Sequence, residues 1–273
     1  MMKERRIVKF DEKLQVEAYL FHGVMQKFPN HFHEHYVIGF IESGQRKLSC
    51  KNREYIINKG DMVIFNPFDN HACEQLEKKA LDYRCLNINS GIMEKVAKEI
   101  MGGEYVPCFT SPVLVQASYA PLLKDVHEMI MNSSVELEKE ESFYFLMEYL
   151  IKECSVKFAE SNSADQRLHA VCRYMEQNYT KHLTLNDLAK VCEMNKYTLL
   201  RSFTRNFGIT PYRYLQTIRI NEAKKLLERG MKPIDVSMET GFADQSHFSN
   251  FFTEFIGLTP GQYRDIYRDK KQA

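Results

Sequence analysis

The sequence has no apolar run that approaches the ~20 residues of a membrane-spanning helix, so we do not expect a membrane protein. Its first residues lead into polar sequence rather than the apolar segment of a signal peptide, which argues against export. The seven cysteines are scattered, odd in number and never form a Cys-x-x-Cys pair. This usage argues against a disulfide framework and a zinc finger and fits reduced thiols, so we expect a cytoplasmic protein.

The chain also has little net charge, +1 over 273 residues, but its charges are unevenly distributed. From Asp165 onward, 17 Lys and Arg stand against 12 Asp and Glu, whereas the preceding part has 20 against 24. The length is sufficient for two domains with separate cores. A basic C-terminal part and an acidic N-terminal part fit a nucleic-acid-binding domain joined to a domain with another task.

One short pattern occurs twice between Thr184 and Arg264, the second copy 49 positions after the first. Each copy has an aromatic-rich stretch, a Gly, a Thr-Pro pair and a Tyr. The Gly can end a helix in the left-handed conformation, the Thr can cap the next helix, and Pro suits its first position. The duplication therefore predicts two copies of one helical module. The corresponding pairs are Phe203/Phe252, Gly208/Gly257, Thr210/Thr259, Pro211/Pro260 and Tyr214/Tyr263.

Residues 7 to about 90 predict short β-strands that are separated by turn signals such as Ser43-Gly44. Many short strands at this spacing are typical of a sandwich or barrel of the jelly-roll kind. The candidate strands are 16–21, 35–41, 46–50, 54–57, 62–65 and 81–88.

From Ser111 to Phe158 the apolar period becomes helical and predicts two helices, which could pack on the barrel or on a second subunit. One apolar stripe contains Leu114, Tyr119, Leu122, Leu123, Val126 and Ile130. The other contains Leu137, Phe143, Leu146, Met147, Leu150 and Ile151.

The strings Pro29–His33, Gly60-Asp61 and Pro67–His71 resemble the two conserved motifs of a cupin barrel. In metal-bearing cupins, a His-x-His pair, a Glu four residues later and a distant His hold one metal. Here Val37 stands at the Glu position, and Gln75 replaces the Asn that often follows the distant His. The remaining imidazoles, His31, His33 and His71, could still bind Zn²⁺ or a similar ion in an open site.

The alternative is that these histidines line a pocket for a small organic effector, or are satisfied core residues. We expect the effector rather than a metal and predict no cofactor. No combination of nucleophile, base and orienting residue is recognisable, so we do not expect an enzyme. The candidate effector-binding residues are His31, His33, His35, Glu42, His71 and Tyr83.

The region from about Gln166 to Arg268 resembles the DNA-binding domain of the AraC/XylS transcription regulators. The matching strings are Tyr214-Leu-x-x-x-Arg219-Ile-x-x-Ala223-x-x-Leu-Leu227, Gly241-Phe242-x-Asp-x-Ser246-His247-Phe248 and Phe252-x-x-x-x-Gly257-x-Thr-Pro-x-x-Tyr263-Arg264. The resemblance implies two helix-turn-helix units on one linker helix. These would enter successive major grooves about 34 Å apart.

Position within the motif predicts which exposed side chains contact DNA bases. Arg201 suits guanine, whereas Gln245 and Asn250 suit adenine. Asp244 is also exposed by this criterion. The first recognition helix contributes Lys196, Tyr197, Thr198, Leu200 and Arg201, and the second contributes Gln245, Ser246, Ser249 and Asn250. Other cations are candidates for phosphate contacts or for simple solvation, namely Arg205, Arg213, Lys224 and Lys225.

The sequence thus predicts a two-domain α+β protein. Residues 1–158 form a cupin-like β-barrel (jelly roll) with two following helices, which binds an effector and can dimerise. Residues 159–165 are a linker, and residues 166–273 form an all-α domain with two helix-turn-helix motifs.

The predicted function is sequence-specific transcription regulation under the control of a small-molecule effector. The expected partners are double-stranded promoter DNA, the effector, RNA polymerase and a second copy of the chain, without a membrane. The alternatives are a metal-sensing or enzyme-like cupin that is fused to a DNA-binding domain, and a constitutive regulator whose barrel only dimerises.

Overall fold

The computed structural model describes residues 4–76, 79–132, 135–158 and 166–268. The chain divides into two units. Unit 1 contains Met1–Lys27 and His33–Ala159, and unit 2 contains Phe28–Phe32 and Glu160–Ala273. The predicted linker, 159–165, lies outside the described residues.

Twelve strands occur in the described residues, most of them before residue 90. They are β1 (Arg5–Asp11), β2 (Val16–Val24), β3 (Phe28–His31), β4 (His35–Ser43), β5 (Gln45–Cys50), β6 (Arg53–Asn58), β7 (Met62–Phe65), β8 (His71–Gln75), β9 (Leu81–Asn89), β10 (Pro107–Phe109), β11 (Val113–Leu114) and β12 (Ser155–Lys157).

Ten helices occur in the same residues. Those of unit 1 are α1 (Ser90–Met101), α2 (Ala120–Asn132) and α3 (Glu136–Cys154). Those of unit 2 are α4 (Gln166–Gln177), α5 (Leu185–Val191), α6 (Lys196–Phe207), α7 (Pro211–Glu228), α8 (Pro233–Glu239), α9 (Gln245–Ile256) and α10 (Pro260–Arg268).

Unit 1 is built on two antiparallel sheets. One has the strand order β1-β2-β9-β4-β7-β11, and the other contains β8-β5-β6 side by side. Alternate residues of a strand point to opposite faces, so β4 buries Ile38 and Phe40 against the helices and Val37 and Ile41 on the other face. The arrangement is compatible with the predicted jelly roll.

The predicted helix pair is present as α2 and α3; α2 packs on the first sheet of the same chain, and α3 packs on α2 and α1. Three details differ from the sequence analysis. Leu114 lies in β11, opposite Met62 of β7, because sheet pairing overrides its place in an apolar stripe. Leu137 lies in the first turn of α3 and is 66% exposed. Helix α1 was not predicted, although Asn89 caps it by accepting from the backbone N–H of Gly91.

The helix ends of unit 2 confirm the duplicated pattern. Gly208 and Gly257 end α6 and α9 with φ angles of 67° and 83°, a conformation that glycine adopts without steric cost. Thr210 accepts from the backbone N–H of Arg213 at the start of α7, with Pro211 at the first helical position. Each module therefore begins and ends where its local sequence specifies.

The core of unit 2 forms around α7, which is buried along most of its length. Phe203, Phe248, Phe252 and Tyr263 are fully buried beside it. Arg219 of α7 is structural, since its Nε donates to the Tyr179 carbonyl (2.8 Å) and its Nη2 to the Lys181 carbonyl (2.9 Å). The aromatic core thus holds both modules on one helix.

Candidate functional site

Helix α6 presents an exposed surface of polar side chains together with Tyr197 and Leu200. Asn195 caps it by accepting from the backbone N–H of Thr198 at 2.8 Å, which fixes where the helix begins. Leu199 and Phe203 face the core and are fully buried. At the helical period this leaves the predicted residues on the outer side, and all of them are exposed: Lys196, Tyr197, Thr198, Leu200 and Arg201.

Arg201 and Tyr197 form a pair one turn apart on this surface. The Arg201 Nη1 donates to the Tyr197 hydroxyl at 3.2 Å, and the guanidinium carbon lies 5.6 Å from the ring centroid. A hydrogen bond and a cation–π contact together restrict the guanidinium to the outer side of α6. The sequence analysis identified both residues but not their contact.

Helix α9 carries a different surface. Gln245, Ser246 and Asn250 are exposed, and Ser249 is half-buried. Asp244 precedes the helix and caps it by accepting from the backbone N–H of His247 at 2.7 Å, which gives its carboxylate a structural role. From Gly241 to Pro260 the sequence has no Lys or Arg. The two outer surfaces therefore differ in charge.

The four other candidate cations of unit 2 fall into two groups. Arg205 and Lys225 are exposed, and Lys225 pairs with Glu222 at 2.6 Å. Arg213 lies against the rings of Phe251 and Phe255, with centroid distances of 5.6 and 5.1 Å. Lys224 is buried, 5.4 Å from the Tyr263 centroid. Packing thus accounts for Arg213 and Lys224, and Arg205 remains the exposed candidate on α6.

In unit 1, three of the predicted histidines lie together. The His33 ring centroid is 4.8 Å from that of His35 and 5.1 Å from that of His71, and His71 stacks on Phe65 at 3.9 Å. Burial lowers the pKa of His71 to about 4, so its imidazole is neutral at pH 7. Its Nδ1 lies 2.9 Å from the Asp69 carbonyl, which can only accept. The proton therefore sits on Nδ1, and Nε2 keeps its lone pair.

His31 has the same arrangement, with its Nδ1 2.6 Å from the Pro29 carbonyl. It is buried, and its ring lies edge-on to that of Phe255 at 5.4 Å. His31 belongs to unit 2, whereas His33 and His71 belong to unit 1. Carbonyl-oriented imidazoles of this kind are common metal ligands.

The two other predicted effector residues have separate surroundings. Glu42 accepts from Arg84 Nε at 2.9 Å and lies 3.8 Å from the ammonium of Lys124 on α2. The Glu42 carboxylate is therefore already engaged in ion pairs with these two cations. Tyr83 is half-buried over Gly39, where an added Cβ would lie 2.5 Å from the Tyr83 hydroxyl. Burial also raises its pKa well above the usual value. Gly39 is thus required for Tyr83 to fill this space.

Arg46 is a feature of unit 1 that the sequence analysis missed. Its side chain is fully buried, with Nη1 donating to the carbonyls of Gln45 (3.1 Å) and Lys79 (2.7 Å) and Nη2 to that of Val24 (2.6 Å). Its Nε is also buried and makes no hydrogen bond among the described residues. Burial lowers its pKa. The available signal was its alternation with buried Leu48 on β5.

No helix in the described ranges is long and apolar enough to cross a membrane.

Two family matches cover the candidate surfaces described above. Residues 188–266 match a helix-turn-helix domain, and residues 13–147 match an AraC-like ligand binding domain.

Comparison with known proteins gives similar chains of nearly the same length. The HTH-type transcriptional regulator YbfI of Bacillus subtilis (strain 168) is 50% identical over 249 residues, which cover 90% of each chain. The HTH-type transcriptional activator RhaS of Enterobacter sp. (strain 638) is 25% identical over 246 residues and 87% of each chain.

Among solved structures, ToxT of Vibrio cholerae O395 is similar in fold. It aligns with a TM-score of 0.55 and 17% identity, covering 97% of this chain and 96% of that one. One ToxT structure contains an unsaturated fatty acid, and another contains (E)-4-(8-methylnaphthalen-1-yl)but-3-enoic acid.

Proposed function

Because the chain belongs to the AraC family of DNA-binding transcription regulators with an N-terminal ligand-binding domain, we propose that α6 and α9 read base edges in promoter DNA. The observation that carries this proposal is the duplicated module, in which each copy turns one polar helix face to solvent. A helix of this kind fits the major groove, where every base pair has a distinct donor and acceptor pattern.

The two helices contribute differently. On α6, Arg201 donates to the O6 and N7 atoms of guanine, and Lys196 and Arg205 add attraction to phosphates. On α9, Gln245 and Asn250 bind adenine edges, and the hydroxyls of Ser246 and Ser249 bind either base type. Since α9 has no cation, α6 supplies most of the electrostatic affinity and α9 contributes mainly selectivity. The other side chains of α6 that contact DNA are Tyr197, Thr198 and Leu200. Leu200 is suited to packing on the methyl group of thymine.

Effector control is assigned to unit 1. We place a small organic effector beside His33, His35 and His71, with Tyr83 closing the space over Gly39; His31 is left out because it belongs to unit 2. Glu42 is left out of the site because Arg84 and Lys124 already neutralise it. The ligands of ToxT, which are carboxylic acids, support an organic effector for this fold.

The wider role follows from family membership. We propose that the protein acts in the cytoplasm without enzymatic activity, and that it contacts RNA polymerase from DNA. The exposed side chains Leu137 and Phe145 on α3 are candidates for a homodimer contact. Residues 1–158 and 166–273 are then the sensor and DNA-binding domains, joined by 159–165.

The experiment that tests DNA recognition is selection from a random duplex library with the full-length chain. We expect an enriched sequence with two conserved blocks about 10 bp apart, one for each module. Affinity should fall steeply between 50 and 200 mM salt, by about tenfold or more, because bound cations displace counterions from the phosphates. No enriched sequence, or an affinity that does not change with salt, would contradict the proposal.

Metal sensing, which the sequence analysis placed at His31, His33 and His71, is a second candidate, favoured within unit 1 by the close rings of His33 and His71. Zinc would suit these imidazoles and would add a Lewis-acidic or structural centre. Elemental analysis of protein purified without a nickel column distinguishes the two functions. We expect less than stoichiometric metal.

His71→Ala provides a further discrimination. For an organic effector site, the variant should lose its effector response while basal DNA binding persists. For a structural metal, it should instead lower the melting temperature as much as chelation lowers that of the wild type, because metal binding is coupled to folding. Stoichiometric zinc together with such a matched loss would establish the metal function.

A further inference from the structure

We infer that Arg46 is the residue of unit 1 that recognises a carboxylate on an anionic organic effector. This inference rests on the proposed effector control and adds the chemical class of the effector. It starts from the environment of the Arg46 guanidinium, which is fully buried.

Both terminal nitrogens of the Arg46 guanidinium are hydrogen-bonded, but no carboxylate of the described residues pairs with it. Its described hydrogen bonds all end on backbone carbonyls, which carry dipoles rather than a full negative charge. Two other cations of low exposure in unit 1 have carboxylate partners. Lys139 pairs with Asp11, and Arg84 pairs with Glu42 and Glu128. Burying an uncompensated charge is costly, so a site that retains one is suited to a ligand that brings the counter-charge.

The remaining donor is also fixed in direction. The carbonyls of Val24, Gln45 and Lys79 hold both terminal nitrogens of Arg46, so the guanidinium plane cannot rotate freely. The Nε–H is buried, with no acceptor among the described residues. A carboxylate oxygen that accepts from Nε would make a charge-assisted hydrogen bond to a guanidinium already held by three carbonyls. The cost of ordering the arginine is therefore met during folding and not during binding.

The strand register places Arg46 on the same sheet face as His71. Arg46 lies opposite Gln75, and Cys50 lies opposite His71, so all four share one face of the second sheet. From Gln75 to His71 is four residues along β8, about 13 Å at ~3.3 Å per residue. An elongated acid could therefore place its carboxylate at Arg46 and its body along Leu48 and Cys73 toward His71.

The test measures the melting temperature of the full-length protein at constant ionic strength with two matched series of probes. One series is the sodium salts of straight-chain carboxylic acids from butanoate to dodecanoate, and the other is the corresponding primary amides. A ligand that binds the folded state raises the melting temperature by mass action. We expect at least one carboxylate to do so and its amide to have at least tenfold lower affinity.

Two arginine variants locate the effect. Arg46→Gln should abolish the carboxylate response, whereas Arg84→Gln should retain it, since Arg84 already has carboxylate partners. Arg46→Lys covers the case in which Arg46→Gln does not fold. It should weaken carboxylate binding at least tenfold. An ammonium cannot donate to three carbonyls and also to a carboxylate at the Nε position, as the guanidinium does.

Three results would overturn the inference: equal stabilisation by the amides, a retained response in the Arg46 variants, or no response of the wild type to any carboxylate. DNA affinity, measured with and without the active carboxylate, separates this inference from the effector-control proposal. A carboxylate that requires Arg46 but leaves DNA affinity unchanged would support the Arg46 site and contradict effector control.

Discussion

Replacing Arg201 by alanine should reduce affinity for the selected DNA sequence by about 5- to 150-fold, a loss of about 1–3 kcal/mol. The reason is that one side chain supplies two donors to a guanine, and water replaces them poorly. The base preference should relax at one position, while preferences elsewhere persist. Competition binding against the selected site and its single-base variants measures both effects. Arg205→Ala is the matched control, since it removes an exposed arginine one turn further along α6.

The control should weaken all sequences by a similar factor and lower the salt dependence, as expected for a phosphate contact. If Arg201→Ala behaved in this same uniform way, its assigned role in reading guanine would be wrong. Tyr197→Phe provides a finer comparison because it keeps the ring under the guanidinium and removes the hydroxyl at 3.2 Å. We expect an effect of the same kind as that of Arg201→Ala but smaller.

Replacing Gly241 by alanine should lower the free energy of unfolding of unit 2 by about 3 kcal/mol or more. Gly241 has a φ of 76°, and a Cβ there would lie 2.6 Å from the Thr180 carbonyl oxygen. That carbonyl cannot retreat easily, because Arg219 holds the neighbouring carbonyls of Tyr179 and Lys181. Left-handed strain and the clash with backbone therefore act together. Urea denaturation followed by circular dichroism measures the change.

Gly230→Ala separates the two causes. Gly230 has a φ of 91°, but a Cβ added there would meet no atom within 4 Å. This variant should cost about 1 kcal/mol, the strain contribution alone. If both variants lost the same free energy of unfolding, the contact with Thr180 would not contribute to the destabilisation. A variant at Gly241 that remains folded should also bind DNA less tightly, because Gly241 forms the turn between α8 and α9.

The features that sequence reasoning predicted are those whose cause is local. Gly208, Thr210 and Pro211 specify one helix end and the next helix start within four residues, so their pattern could be interpreted without a structure. Leu114 shows the opposite case, because its strand exists through pairing with Met62, 52 positions earlier in the chain.

The site residues divide in the same way. His33 and His71 could be grouped through a known motif, whereas the pairing of Glu42 with Arg84 depends on β4 lying beside β9 with a register shift at Glu42. Arg46 was missed because an arginine in a polar strand normally indicates a solvated side chain. Its burial becomes visible when the carbonyls of Val24 and Lys79 are located around it. Charge compensation is a property of the folded neighbourhood and not of the local sequence.

The burial of α7 has a consequence for how such a regulator can change its targets. A residue inserted into this helix would turn everything after it by about 100° and shift it by about 1.5 Å. Because α7 is enclosed along most of its length, the surrounding core has no room to absorb that rotation. The angle between the proposed DNA-binding surfaces of α6 and α9 is therefore fixed by the core. A new target promoter must therefore have the same spacing between its two binding sites. A change in the recognised bases can come only from the outward side chains of α6 and α9.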